Sequence, residues 1–124
     1  MKRLIAAAVL FVLVTAIYFT GYLFINSTCK KTDTLLKECV TSYKNGENVN
    51  LYTTKLENFW ESREKLLSVF MNHNDIDEIE LAIESLTVHS KYKENEMFYE
   101  YSATIDMLLH QIMEDTAFGV HSIL

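Results

Sequence analysis

Proline is absent from this chain and glycine nearly so: Gly21, Gly46 and Gly119 are the three present in 124 residues. Without these breakers, long uninterrupted helices are favoured and a turn-rich β architecture is disfavoured. Three scattered glycines also exclude a Gly-rich phosphate loop. Cysteine is confined to Cys29 and Cys39, with no His or Cys nearby to complete a metal motif. On one continuous helix the two stand ~15 Å apart, beyond disulfide reach. The reading is a core-facing Cys39 and a juxtamembrane Cys29, with a bridge to a second chain through Cys29 as the alternative.

Basic charge is scarce where it would matter for nucleic acid. Residues 26–74 hold 7 basic and 6 acidic side chains, whereas residues 75–124 hold 2 and 11. A nucleic-acid partner needs a basic footprint, which the back half lacks. The same imbalance opposes that half lying flat on anionic lipid. An acidic, solvated face accounts for it.

Charge of either sign is missing altogether from Leu4 to Ile25. Twenty-two helical residues rise ~33 Å, the thickness of a hydrocarbon core. Lys2 and Arg3 precede the run, and Tyr18 and Tyr22 lie near its far end, where aromatic side chains favour the membrane interface. A cleaved signal peptide has a shorter apolar region and a small-x-small exit. Here the exit is bulky, Tyr22-Leu23-Phe24-Ile25, although cleavage near Asn26-Ser27-Thr28 is the competing reading. A lipid-modified Cys29 fits poorly, because Asn26 and Thr28 replace the aliphatic and small residues such a site wants. The run therefore reads as an uncleaved signal-anchor, with residues 1–25 forming a cytoplasmic tip and transmembrane segment that contacts the lipid bilayer through residues 4–25. The basic N-terminal flank stays inside, so residues 26–124 are expected to form an extracytoplasmic domain, and the protein to be a single-pass cell-membrane protein.

Apolar spacing divides residues 26–124 into helical stretches. The first covers roughly residues 32–44, with Leu36, Cys39, Val40 and Tyr43 on one side, and nothing before it forces a break from the membrane run. Asn45-Gly46 ends it. The second covers 50–71, with Tyr52, Leu56, Phe59, Trp60, Leu67 and Phe70 on one face and Arg63 on the same stripe, where its stem can be buried while its head reaches the edge. Asn72-His73-Asn74-Asp75 breaks it, and Asp75 with Glu78 has capping-box spacing. The third covers 76–91 with Ile76, Ile79, Ile83 and Leu86 inward. The fourth covers 95–115 with Phe98, Tyr101, Ile105, Leu108, Leu109 and Ile112 inward. Short connections make neighbours antiparallel. The fold class is all-α: one transmembrane helix followed by an up-down bundle of about four helices. Ile123 and Leu124 are expected to dock back onto it.

Catalytic spacing is missing too. There is no His-Glu-x-x-His, no Glu-x-x-His pair, no serine in a nucleophile setting and no local Cys–His pair. No enzymatic activity and no cofactor are expected. Two stripes remain. At the start of the third helix, His73, Asp77 and Glu80 offer an imidazole and carboxylates of the kind a divalent cation takes. The competing explanation is dipolar: acidic residues favour a helix N-terminus, and His73 favours the negative end of the second helix. Asp106, His110 and Glu114, at i, i+4 and i+8, form the other stripe, which lies away from the core and lacks ligands from a second element.

The basic start and anchor, Trp60 in mid-helix, the stretch Phe70-Met71-Asn72-His73-Asn74-Asp75-Ile76-Asp77-Glu78-Ile79-Glu80 and the ending Ser122-Ile123-Leu124 together resemble a family of small, N-terminally anchored helical proteins from spore-forming Gram-positive bacteria, classed as a domain of unknown function. The most specific part is His73, Asp75, Ile76, Asp77, Ile79 and Glu80. The resemblance implies an anchored helical domain, often encoded near a multi-spanning membrane protein of the YetF type. It brings no activity or cofactor.

Three readings follow. The first is a non-enzymatic interaction or accessory module for another membrane protein. The second is a divalent-metal-binding or metal-responsive domain using His73, Asp77 and Glu80. The third is a homo-oligomer formed through the membrane run, where Ala6, Ala7, Ala8 and Ala16 are small but set no clear packing motif.

Overall fold

A computed structural model describes the backbone of residues 1–123 and the side chains of residues 1–119. Four helices make up the described chain: α1 (Lys2–Lys44), α2 (Val49–Phe70), α3 (His73–Lys91) and α4 (Asn95–Ile123). They form a ring of antiparallel neighbours, α1 against α2 and α4, and α3 against the same two, with α1 and α3 on the diagonal. The all-α up-down expectation holds. The first helix of the bundle, however, is the upper part of the apolar helix itself.

That continuity is the main architectural fact. α1 runs 43 residues without a break, about 65 Å at the α-helical rise. Its lower part, up to Thr20, is exposed apart from a half-buried Thr15. From Gly21 onward a buried stripe takes over: Gly21, Ile25, Thr28, Cys29, Thr32, Leu36, Cys39 and Ser42. Steps of three and four keep that stripe facing α2 and α4. The expected boundary between residues 25 and 26 is therefore unmarked in the helix, and the buried stripe begins five residues before residue 26. By length and composition, α1 is the one described helix apolar enough to cross a membrane.

Trp60, Phe98, Leu56, Leu67, Ile79, Ile83, Leu86, Ile105 and Leu109 fill the centre. All the inward positions expected on α3 are buried, and those on α4 are buried or half-buried. Tyr43 stacks on Phe98, centroids 3.9 Å apart, and its hydroxyl donates to Asn95 at the top of α4. Thr32 is fully buried and donates to the Thr28 carbonyl at 2.7 Å, which satisfies its hydroxyl within the helix.

The helix ends match local chemistry. Asn45 closes α1, and Gly46 follows with φ +70°, the left-handed position that ends a helix at no Cβ penalty. Lys93 does the same work after α3 at φ 54°, without glycine.

Four expectations need correcting. α3 begins at His73, so its cap is Asn72, whose side chain accepts from the Asn74 amide at 3.0 Å; Asp75 lies inside the first turn and forms no capping box. Arg63 is exposed as a whole, its guanidinium 5.1 Å from the Phe59 ring centroid and 6.0 Å from that of Phe24, a cation–π placement at the edge of the stripe. Cys29 is as buried as Cys39, because the bundle closes around α1 below it. α4 runs on past 115 to Ile123. The expected docking of Ile123 and Leu124 lies outside the described side chains.

Candidate functional site

The acidic start of α3 does not gather into a ligand set. His73 opens α3, at the positive end of that helix dipole and not at the negative end of α2. His73 and Asp77 are exposed, while Glu80 is half-buried against α2. Among the described residues no group of three or more His, Cys, Asp or Glu is placed to hold a metal ion.

Glu80 instead meets a carboxylate. Burial, and next the facing Glu80, push the Glu64 carboxyl up to about 7, with Glu61 and Asp77 adding like charge. Glu64 Oε1 is enclosed without a donor in reach. Enclosure disfavours the charged carboxylate and the like charge of Glu80 adds to it, so the protonated form is favoured. One seam of the bundle, α2 against α3, thus carries a carboxyl that titrates near neutrality.

The opposite seam, α1 against α4, carries another carboxyl pair. Sequence spacing alone left Asp106 and His110 on a stripe without a second element; α1 supplies that element as Asp33 and Lys37. Lys37 Nζ lies 2.9 Å from Asp33 Oδ2. His110 Nδ1 lies 2.8 Å from the Asp106 carbonyl oxygen and 3.4 Å from its Oδ1. The Asp33 carboxyl opposite raises Asp106. Burial works against ionisation of Asp33, yet hydrogen bonds from Asp106 and Lys37 outweigh it and hold Asp33 low. His110 is raised by the Asp106 carbonyl first and by the Asp106 charge second. The two aspartates thus face each other across this seam, with Lys37 on Asp33 and His110 on Asp106. Glu114 stays exposed and outside this group.

A concavity lies elsewhere, at the foot of the bundle where α1 leaves it. It measures about 730 Å³, within the range of small-molecule sites. Ile17, Tyr18 and Gly21 of α1 form one wall, Val69 and Phe70 at the end of α2 a second, and Ile112 of α4 a third. Asn72, Asp75 and Asp115 give it a polar edge. Neither aspartate has an ion-pair partner among the described residues. Sequence reading missed this cleft, since it treated Ile17 to Ile25 as lipid-facing and ended the fourth helix at 115.

Comparison with known proteins gives one match. A family model described as a domain of unknown function, DUF4363, covers residues 19–123. Its first matched residue lies two positions before Gly21, so the family match and the packed bundle begin together. No curated protein and no solved structure matches the chain.

Proposed function

This chain belongs to the DUF4363 family, and since no activity comes with that family we propose that it is a membrane-anchored, non-enzymatic accessory module that holds a small acidic bundle against another membrane protein. The observation that carries the reading is the unbroken α1. A domain on a flexible tether samples many positions, whereas one built on its own anchor helix presents fixed faces at a fixed height above the bilayer. The fit of α1 to a membrane span and the acidic surface above it support the same reading. The basic flank at Lys2 and Arg3 favours an extracytoplasmic bundle.

The partner is a multi-spanning membrane protein in the same bilayer, of the YetF type that the resemblance implies. Crosslinking in intact membranes followed by purification in mild detergent tests this. The expected result is one defined membrane-protein partner at constant ratio. Recovery of the chain alone, as a monomer, overturns it.

A further inference from the structure

The apolar part of α1 left free by the bundle is short. Leu4–Thr20 is 17 residues, or ~25 Å, against a hydrocarbon core of ~30 Å. On the anchoring reading above, on which this inference rests, a span at this short limit draws the foot of the bundle down to the membrane surface. The exposed side chains there suit that depth: Val69 is 70% exposed and Phe118 76%. The foot cleft therefore opens among lipid head groups and upper acyl chains.

Its lining is divided in the same sense. Ile17, Tyr18, Val69 and Phe70 form an apolar wall, and Asp75 and Asp115 contribute carboxylates without a cation partner among the described residues. A ligand complementary to both parts has an acyl chain and a positive head. Anionic head groups meet like charge there, and lipids lacking a hydrogen-bonding ammonium forgo the charge-assisted contact a carboxylate offers.

We infer that the cleft between the membrane exit of α1 and the ends of α2 and α4 binds a phospholipid with a primary-amine head group, its ammonium on Asp75 and Asp115 and its acyl chain along Ile17 and Phe70. The bundle is thereby seated on selected lipid.

The test uses the full chain reconstituted in vesicles of equal phosphatidylethanolamine, phosphatidylcholine and phosphatidylglycerol, extracted in mild detergent and analysed by native mass spectrometry. Wild type should retain phosphatidylethanolamine about fivefold or more over each of the others. The Asp75→Asn/Asp115→Asn variant, with helical content checked by circular dichroism, should lose that preference. Equal retention of the three lipids, or retention of a second copy of the chain in place of lipid, overturns the proposal, as does an unchanged preference in the variant. If the variant does not fold, the wild-type ratio decides alone. An alkaline wash of the same vesicles separates the two readings. Release of the chain from the membrane refutes anchoring and with it this site; retention without lipid preference refutes the site only.

Discussion

Phe70, the last residue of α2, lies so close over Gly21 of α1 that a Cβ at position 21 would stand 2.5 Å from its Cδ1. Glycine is required there by space, not by backbone conformation. The contact closes the foot of the bundle and fixes where α1 stops being free.

Filling that position should therefore loosen the foot. Gly21→Val is expected to destabilise the domain by about 1–3 kcal/mol, the scale of overpacking in a tight core. Adding Phe70→Ala should cost less in that background than alone, since the two residues touch. Thermal denaturation of the four proteins in a double-mutant cycle checks this; simple additivity would show that the contact is not made.

Glu64 gives the domain a pH dependence of defined sign. Its carboxyl is pushed from 4.5 to about 7 in the folded chain, so the folded state holds that proton more tightly than the unfolded state. The stabilisation is complete below about 4.5 and is lost as pH rises through about 7. Glu64→Gln should flatten the melting-temperature profile across this window. At pH 8 it should raise the melting temperature by roughly 2–4 °C, a value discounted for partial exposure. An unchanged profile would remove Glu64 as the cause.

Both cysteines should be silent in the folded chain. Cys29 and Cys39 are fully buried, and burial pushes each thiol up to about 12. Thiolate is the reactive form, so an alkylating reagent at pH 8 should label neither until the domain is denatured. A reporter at the exposed Glu47→Cys in the α1–α2 turn would then be the dominant labelled site. Labelling by an impermeant maleimide in intact cells would mark the bundle as extracytoplasmic, and protection until lysis would mark it as cytoplasmic.

Lys93 holds φ 54° where a glycine would carry no Cβ penalty. Lys93→Gly should stabilise the domain by up to about 1 kcal/mol, the relief of the left-handed conformation exceeding the added freedom of the unfolded chain. A fall in stability would show that the Lys93 side chain makes a contact worth more than the strain.

Most of the fold was legible because it rests on local rules. Helix number, the Asn45-Gly46 stop and the inward faces of α3 and α4 follow from spacing and capping alone. The foot was not, because Ile25, Thr28 and Cys29 read equally well as the end of a membrane run. What separates the readings is the partner surface, supplied by residues 45 to 90 positions away in the chain. The same applies to the carboxyl pairs: Asp33 with Asp106, and Glu64 with Glu80, join different helices, and helical spacing sees only one helix at a time. The α3 cap was legible in principle, since Asn72 is as good an N-cap residue as Asp75. Choosing Asp75 gave weight to the distant Glu78 and placed His73 on the wrong helix.

The unbroken α1 also makes the domain a lever. On the anchoring reading, about 24 residues of it, from Gly21 to Lys44, carry the bundle roughly 36 Å from its foot to its far end. Transmembrane helices tilt readily, and a change of about 10° in the bilayer would swing the Tyr43–Phe98 end sideways by roughly 6 Å. No hinge lies between to absorb it. Any thinning of the bilayer, or any push on the span by a neighbouring helix, is therefore delivered undamped to the far tip.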